Sequence, residues 1–309
     1  MSFVYLTQSS PGAPPLIKAN GSLCALLDWA LPQAGWTILH STGFARVYRS
    51  QNGRMFHIDH DSASSGAVHR AVVRGCTGAS GAKTITGAFP TAAQAANNLS
   101  CWRIGINATT FATSPFPFEF IADSNHFVLV IERIDSGTRD AEVWFFGETM
   151  SDFPQDTNCL INISRSTSLT TTAQQGLTGL TAFANSGVGA AGGDLFWQGS
   201  VDGSVPSSQA RLYGPGFGIT GAPAARAGYE NRIFREPVSV ADYGGSGIAI
   251  TPMFLARRGF LPNIWTMLHG SMGQVSFGDT FLDAQYDPAA VFKASELLIY
   301  EITDTWRPR

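Results

Sequence analysis

Residues 126–149, with the sequence HFVLVIERIDSGTRDAEVWFFGET, limit the possible folds of this chain more than any other segment. Two apolar-rich runs, residues 126–134 and 141–146, flank the turn-forming residues 135–138. β-Branched and aromatic side chains fill the runs, and the break between them contains Gly, Asp and Ser. This pattern predicts a β-hairpin with a short loop. Similar short apolar runs, separated by small polar residues and Gly, recur to the end of the chain. We therefore expect a mainly β protein with one or two antiparallel β-sandwiches and long irregular loops.

The local patterns divide the 309-residue chain into four segments. Residues 1–20 are predicted to form an extended N-terminal arm interrupted by prolines. Residues 21–164 form a β-rich body, and residues 165–228 form an ordered insertion rich in Gly, Ala, Ser and Thr. Residues 229–309 form a second β-rich part, which we expect to pack against the body.

The body begins with the one helix that the sequence predicts, at residues 23–31. Residues 20–22 (Asn-Gly-Ser) are predicted to cap this helix, and Pro32 ends it. Four small or apolar residues give it one apolar stripe: Leu23, Leu26, Leu27 and Ala30.

Short strands are predicted after this helix, at residues 36–40, 44–50, 54–61, 68–73 and 100–106. The strand at 54–61 alternates and is predicted to be half-buried, with His57, Asp59 and Asp61 on one face. Residues 111–120 contain two prolines and are predicted to be irregular or an edge strand.

The composition bears on how the protein is used. Charged residues make up only 14% of the chain, where about a quarter is usual. This deficit favours a surface covered by other copies of the chain or by partner proteins, although a low-charge monomer stays open. There are 17 Arg and 3 Lys, which suits protein interfaces but also follows from a GC-rich genome. The net charge of −3 and the lack of a basic run argue against nucleic-acid binding.

No secretory signal and no apolar run long enough to span a membrane are evident in the sequence. The protein is therefore expected to be made in a cytoplasm and not inserted into a membrane. Its four cysteines match no metal-ligand spacing and are predicted to be reduced and unligated: Cys24, Cys76, Cys101 and Cys159.

Candidate chemistry is weak throughout. His57, Asp59 and Asp61 have a spacing that can hold a metal, but a polar strand face explains them better. Glu132 and Glu142 could be a pair of catalytic carboxylates, yet the nearby arginines favour a solvated charge ladder. The glycines at 187–189 and 192–193 lack the helix that a phosphate site requires.

Several tryptophans could form a glycan platform, although most aromatic residues in β proteins belong to the core: Trp102, Trp144, Trp197 and Trp265. No catalytic, cofactor-binding or metal residue is therefore assigned, and no cofactor is expected.

Both ends of the chain resemble a family of tailed-bacteriophage virion proteins of about this length. The resemblance lies in SSPGAPPLIKANGSLCALLDWAL, in ARVYRS and RMFHIDHD, and in VWFFGE with its Phe-Gly pair. It continues in RRGFLPNIWTMLHGSMGQVSFGDTF and in LLIYEITDTW. The middle segments, 62–125 and 165–228, match this family poorly.

The resemblance implies a non-enzymatic structural component of a phage virion, in the tail, baseplate or collar. Its expected partners are other copies of itself and other virion proteins. The alternative is a receptor-binding tail protein that recognises a host surface glycan. Independently, the apolar content of the low-charge residues 165–228 predicts that they and the arm at 1–20 supply much of the surface between subunits. Packing of the insertion on its own domain is an equally open alternative.

Overall fold

The computed structural model describes fourteen stretches of the chain. They are residues 3–60, 69–89, 101–104, 115–135, 138–148, 150–151, 160–165, 194–198, 209–213, 235–242, 257–267, 280–283, 287–295 and 298–303. Antiparallel strands dominate these residues, and one short α-helix lies near the N-terminus. The mainly β, antiparallel class with a short N-terminal helix is therefore confirmed. In this part of the chain no helix has the length and apolarity needed to cross a membrane.

The helix is α1 (Ser22–Ala30), and a short 3-10 helix follows it at Leu31–Ala34. The first strands are β1 (Val4–Thr7), β2 (Thr37–Thr42), β3 (Ala45–Arg49), β4 (Met55–Asp59), β5 (His69–Cys76), β6 (Gly78–Gly81) and β7 (Thr84–Thr86). The next are β8 (Cys101–Ile104), β9 (Phe118–Ala122), β10 (His126–Asp135), β11 (Thr138–Glu148), β12 (Met150–Ser151) and β13 (Leu160–Arg165). The last are β14 (Asp194–Gln198), β15 (Gln209–Tyr213), β16 (Arg235–Asp242), β17 (Arg257–Met267), β18 (Thr280–Asp283), β19 (Asp287–Ser295) and β20 (Leu298–Glu301).

Two antiparallel layers build the body. One layer runs in the order β2-β3-β4-β5-β8, and the other runs β1-β9-β10-β11. The layers pack face to face, because the Phe56 ring of β4 lies 5.2 Å from that of Phe127 and 4.6 Å from that of Phe146, between centroids. Helix α1 adds its apolar stripe to the same core. Such close aromatic packing accounts for the strong apolar alternation of the predicted hairpin, which is β10–β11.

The C-terminal strands continue from the second layer. Strand β11 pairs with β13, and the pairing then passes in order through β14, β15, β16 and β17. Because β12 pairs with β17, this series of pairings closes on itself. Strands β20, β19 and β18 extend it from β17. Strands β17 to β20 are thus connected to the body by backbone hydrogen bonds, through the pairing of β17 with β12.

Helix α1 begins within one residue of the predicted start, and its N-cap, Gly21, is one of the three residues predicted to cap it. Gly21 has φ of 82°, and no side chain bonds to the cap. The hydroxyl of Ser22 accepts a hydrogen bond from the Ile17 N–H at 2.8 Å, which fixes the arm. The Gly21 N–H donates to Nδ1 of His60 at 3.0 Å. A left-handed glycine admits this distant imidazole at the N-cap.

Strand β9 corrects the prediction for the last part of the segment 111–120; residues 111–114 lie outside the described residues, and residues 115–117 are irregular as predicted. Residues 118–122 are buried and pair with β1 on one side and β10 on the other, so this strand is not at an edge. Pro115 and Pro117 precede the strand, so neither removes a donor from its hydrogen-bond ladder. The arm supplies the second neighbour, which no local pattern indicates.

The arm also contributes to the core. Leu16 is fully buried, and its carbonyl accepts the Phe116 N–H at 2.7 Å. Residues 4–7 and Leu16 are therefore integrated into the body of their own chain, and the predicted role of the arm between subunits stays a prediction.

Strand β4 is more buried than the half-buried strand predicted at 54–61. Phe56, His57 and Ile58 are each at most 1% exposed. The hairpin β6–β7 lies over the layer on the side of His57, where the Ala79 carbonyl accepts a hydrogen bond from Nε2 of His40 at 3.3 Å. A covering hairpin is a tertiary feature, so the alternation of the strand could not indicate it.

Candidate functional site

A buried polar cluster lies where the turn between β9 and β10 meets two C-terminal strands. Within this turn, Oδ1 of Asp123 accepts the N–H of Asn125 at 2.7 Å and that of His126 at 2.9 Å. The Asp123 N–H donates to the His126 carbonyl at 3.0 Å. Asp is favoured in such a turn because its short carboxylate reaches the backbone two and three residues onward.

His126 extends this turn into the C-terminal half of the chain. Its Nδ1 lies 3.1 Å from Oδ1 of Asp123, and its Nε2 lies 3.0 Å from Oδ1 of Asn263 in β17. Nδ2 of Asn263 donates to the carbonyl of Glu301 in β20 at 3.3 Å. His126, Asn263 and Glu301 are at most 2% exposed. We call Asp123, His126, Asn263 and Glu301 the buried polar network.

The hydrogen bonds of Asn263 show that Nε2 of His126 carries a proton. Because Nδ2 of Asn263 donates to Glu301, its Oδ1 is an acceptor, and Nε2 of His126 must carry the proton in that bond. Nδ1 faces a carboxylate oxygen of Asp123. Both ring nitrogens are therefore in contact with polar groups of the network.

The carboxylate of Asp123 is correspondingly stabilised. Burial by itself raises the pKa of Asp123, but its hydrogen bond to His126, the charge of that ring and the two backbone N–H donors act in the opposite direction. The net result is a pKa below the usual value. A buried charge is tolerated here because a partner and donors surround it.

Aromatic and glycine residues position the network. The His126 ring stacks on Phe145 with 5.9 Å between centroids, and the Trp36 indole N–H donates to the Asp123 carbonyl at 2.7 Å. Gly147 has φ of 141°, and a Cβ at this position would lie 2.3 Å from Cα of His126. Only glycine allows the end of β11 to approach the start of β10 so closely.

A second polar contact fixes the turn at residues 50–54 beside the network. Glu148 accepts hydrogen bonds from Nε of Arg54 at 2.8 Å and from Nδ2 of Asn52 at 3.1 Å. The Gln51 N–H donates to the Ser124 carbonyl at 3.0 Å. The two layers of the body are therefore joined at this corner by polar groups as well as by the aromatic core.

The contacts of His126 connect elements that are distant in the sequence. Both of its ring nitrogens have polar partners. The buried hydroxyl of Ser124, two residues away, makes no hydrogen bond with the ring. The network instead links three distant parts of the chain, residues 123–126, 263 and 301.

The structure describes two of the three residues that the sequence singled out as possible metal ligands. His57 is buried and Asp59 is half-buried in β4, while Asp61 lies outside the described residues. Within the described residues, no group of three or more His, Cys, Asp and Glu side chains is arranged to hold a metal ion.

The other candidates are placed as follows. Glu142 pairs with Ile131, and Glu132 pairs with Ala141, so the two glutamates are not cross-strand partners.

Trp144 is fully buried and does not belong to a surface platform. Cys24 and Cys76 are buried and form no disulfide with each other, and burial raises the pKa of Cys76 to about 12. The described side chains do not include those of Cys101, Trp102, Trp197 and Trp265, and Cys159 and the glycines at 187–189 and 192–193 lie outside the description.

Sequence reasoning missed the buried polar network. His126 and Asn263 are 137 positions apart, and no local pattern connects them. The available signal was the Asp-Ser-Asn-His turn at 123–126, since its Asp and Asn are typical of tight turns.

Comparison with known proteins adds no relatives: no protein-family model matches the chain, and no curated protein matches it significantly.

Proposed function

We propose that this protein is a non-enzymatic structural component of a bacteriophage virion. It acts in the tail, baseplate or collar, through assembly with copies of itself and with other virion proteins. The proposal starts from the resemblance of both chain ends to a family of phage virion proteins, and two structural observations support it.

The observation that carries the proposal concerns where the resembling elements lie. The Phe-Gly pair of VWFFGE includes Gly147, which lies against the backbone of His126. The Leu-Pro pair of RRGFLPNIW directly precedes Asn263, which binds the His126 ring. Elements from two separate parts of the resemblance thus meet at one buried polar network, as expected if they preserve a shared architecture and not an active site.

The surface supplies the second observation. Ile38 in β2 and Phe44 in the following turn are 42% and 43% exposed. In the described part of the chain, β2 pairs with β3 alone. Exposed apolar groups on β2 and in the turn after it, in a chain with 14% charged residues, suit a protein that is covered by neighbours in an assembly.

Particles purified from a phage lysate that contains this protein test the proposal. We expect quantitative mass spectrometry to find the chain at a fixed multiple of a symmetric copy number, and gold-labelled antibody to mark one location on each particle. Presence of the chain in the lysate but not in purified particles would contradict the proposal. Label at the tail tip, together with binding of the purified chain to host cells, would instead support the receptor-binding alternative.

Ile38 offers a test of the surface argument with a matched control. Ile38→Thr keeps a β-branched residue in β2 but removes its apolar end. We expect this variant to be incorporated less into particles than Thr42→Ser, which changes an exposed position of the same strand. Equal incorporation of the two variants would exclude this surface from the interface.

A further inference from the structure

The side of the first layer that faces away from the core contains a row of side chains that are not part of the core. His57 in β4 lies between Val47 of β3 and Arg74 of β5, and His40 of β2 is the partner of Val47 on its other side. Directly opposed residues project to the same side of a sheet. The four residues therefore share the side opposite the core residues Phe56 and Ile58.

The hairpin β6–β7 covers this row. Ala79 of the hairpin accepts a hydrogen bond from His40, and Ala82 is only 3% exposed. Beneath it, Val47 is fully buried and His57 is 1% exposed. Among the described residues, neither ring nitrogen of His57 has a hydrogen-bond partner of normal geometry, although the backbone of Ala82 lies near the ring. A buried imidazole without a full hydrogen bond is tolerated when it is neutral and is strongly disfavoured when it is charged.

The charges around His57 also oppose protonation. Among the described residues, Arg74 of β5 and Lys83 of the hairpin turn add positive charge, while Asp59 of its own strand and the Ala82 backbone favour the charged ring. His40 and Cys76 also belong to this covered side of the layer, on β2 and β5. Burial is the largest effect, then Arg74, and together they lower the pKa of His57 to about 4.

Backbone hydrogen bonds hold the hairpin at its base, and the burial of Ala82 and the hydrogen bond from His40 hold the rest of it over the layer. At the base, Gly75 and Phe89 exchange two backbone hydrogen bonds of 2.9 Å, and the buried Phe89 ring fills the space above Gly75. Gly87, with φ of 56°, directly follows β7. At the tip, Lys83 and Thr84 are exposed. Residues 78–86 can therefore move away while the Gly75–Phe89 pairing stays in place.

We propose that the hairpin β6–β7 is a pH-sensitive cover that opens when His57 takes up a proton. In the closed form the ring must stay neutral. In the open form it meets water and regains its ordinary affinity for protons, so acid favours the open form. The equilibrium constant for opening begins to rise below the ordinary His pKa of about 6.5 and increases about tenfold per pH unit. It levels off near the pKa of His57 in the closed form, about 4.

Hydrogen exchange measured by mass spectrometry on the whole chain tests this proposal. Amide exchange in residues 78–86, corrected for the intrinsic effect of pH, is compared at pH 7 and pH 5. We expect the opening equilibrium to increase about twentyfold at pH 5. Residues 127–131 in the core should remain far more protected than residues 78–86 at both pH values, and equal protection of the two segments would mean global unfolding and would overturn the proposal.

Three variants identify the responsible group. His57→Gln replaces the titrating ring with a polar side chain, and His57→Phe replaces it with an apolar one. Either variant that keeps the near-ultraviolet circular dichroism of the wild type should lose the increase in opening at pH 5. His40→Gln removes the hairpin contact but leaves His57, so it should keep the effect. Retention of the twentyfold change in the His57 variants, its loss in His40→Gln alone, or the absence of any change in the wild-type chain would each overturn the proposal.

Discussion

At the scale of single residues, Gly147 has no room for a side chain, because a Cβ there would meet backbone atoms of residues 125 and 126. Its φ of 141° and the 2.3 Å distance from a built Cβ to Cα of His126 mean that Gly147→Ala must move the backbone of β10 or β11. We expect this variant to lose about 2 to 4 kcal/mol of unfolding free energy in urea denaturation. Gly53→Ala is the matched control, because Gly53 has φ of 82° but nothing within 4 Å of a Cβ. An equal loss in both variants would show that the close approach has no energetic consequence.

Asn263 combines two special features in one residue. It has φ of 59°, and its amide joins His126 to Glu301. Asn263→Gly keeps the backbone conformation accessible and removes only the amide, so the buried Nε2 of His126 loses its acceptor. We expect a loss of about 1 to 3 kcal/mol in urea denaturation. Unchanged stability would mean that the network does not hold β17 to the body.

At the scale of elements, a carboxylate attaches helix α1 to the first layer. Asp28 accepts a hydrogen bond from the Tyr48 hydroxyl at 2.7 Å and pairs with Nε of Arg46 at 3.0 Å. Burial and then the charge of Asp28 raise the pKa of Tyr48 well above its usual value, so Tyr48 stays a donor. We expect Asp28→Ala to destabilise the protein by about 1 to 3 kcal/mol, and Tyr48→Phe by less, since it removes one bond. Chemical denaturation of both variants measures this order, and the reverse order would contradict it.

The structure of the N-terminal arm changes what we expect when residues 1–20 are deleted. A solvent-extended arm could be deleted without unfolding the chain, but β1 pairs with β9 and Leu16 is fully buried. We now expect deletion of residues 1–20 to lower the thermal midpoint or abolish folding, because β9 loses a neighbour and the core gains a cavity. Deletion of residues 1–2 is the control, since it leaves β1 and Leu16 in place. A deletion variant as stable as this control would show that the arm contributes only to assembly.

At the scale of the whole molecule, the shifted pKa values of two buried groups predict how the free energy of unfolding depends on pH. His57 has a lowered pKa in the folded state, so its contribution to stability is complete above about 6.5 and falls as the pH approaches about 4. The pKa of Asp123 is also lowered in the folded state. Because Asp123 is an acid, it stabilises the folded state at pH values above the pKa of the unfolded chain, about 3.8, and this stabilisation is lost as the pH falls through the pKa of the folded state. Urea denaturation from pH 7 to pH 3 should show both losses. His57→Gln should remove the first and Asp123→Asn the second, and a profile that neither variant alters would contradict both assignments.

Local sequence determined the elements whose signals are contained in neighbouring residues. The hairpin β10–β11, the strands β3 and β4 and the helix α1 lie within a few residues of their predicted positions, because alternation, turn residues and a helical stripe are short-range patterns. The low content of charge likewise follows from composition alone.

Tertiary structure decided what depends on residues that are distant in sequence. Strand β9 is interior because the arm returns to pair with it, and His57 is buried because a later hairpin covers it. His126 meets Asn263 and, through it, Glu301 only once the C-terminal strands join the body. The physical reason is the same in each case: burial and hydrogen bonding are decided by the element that packs against a residue, and local sequence does not specify that element.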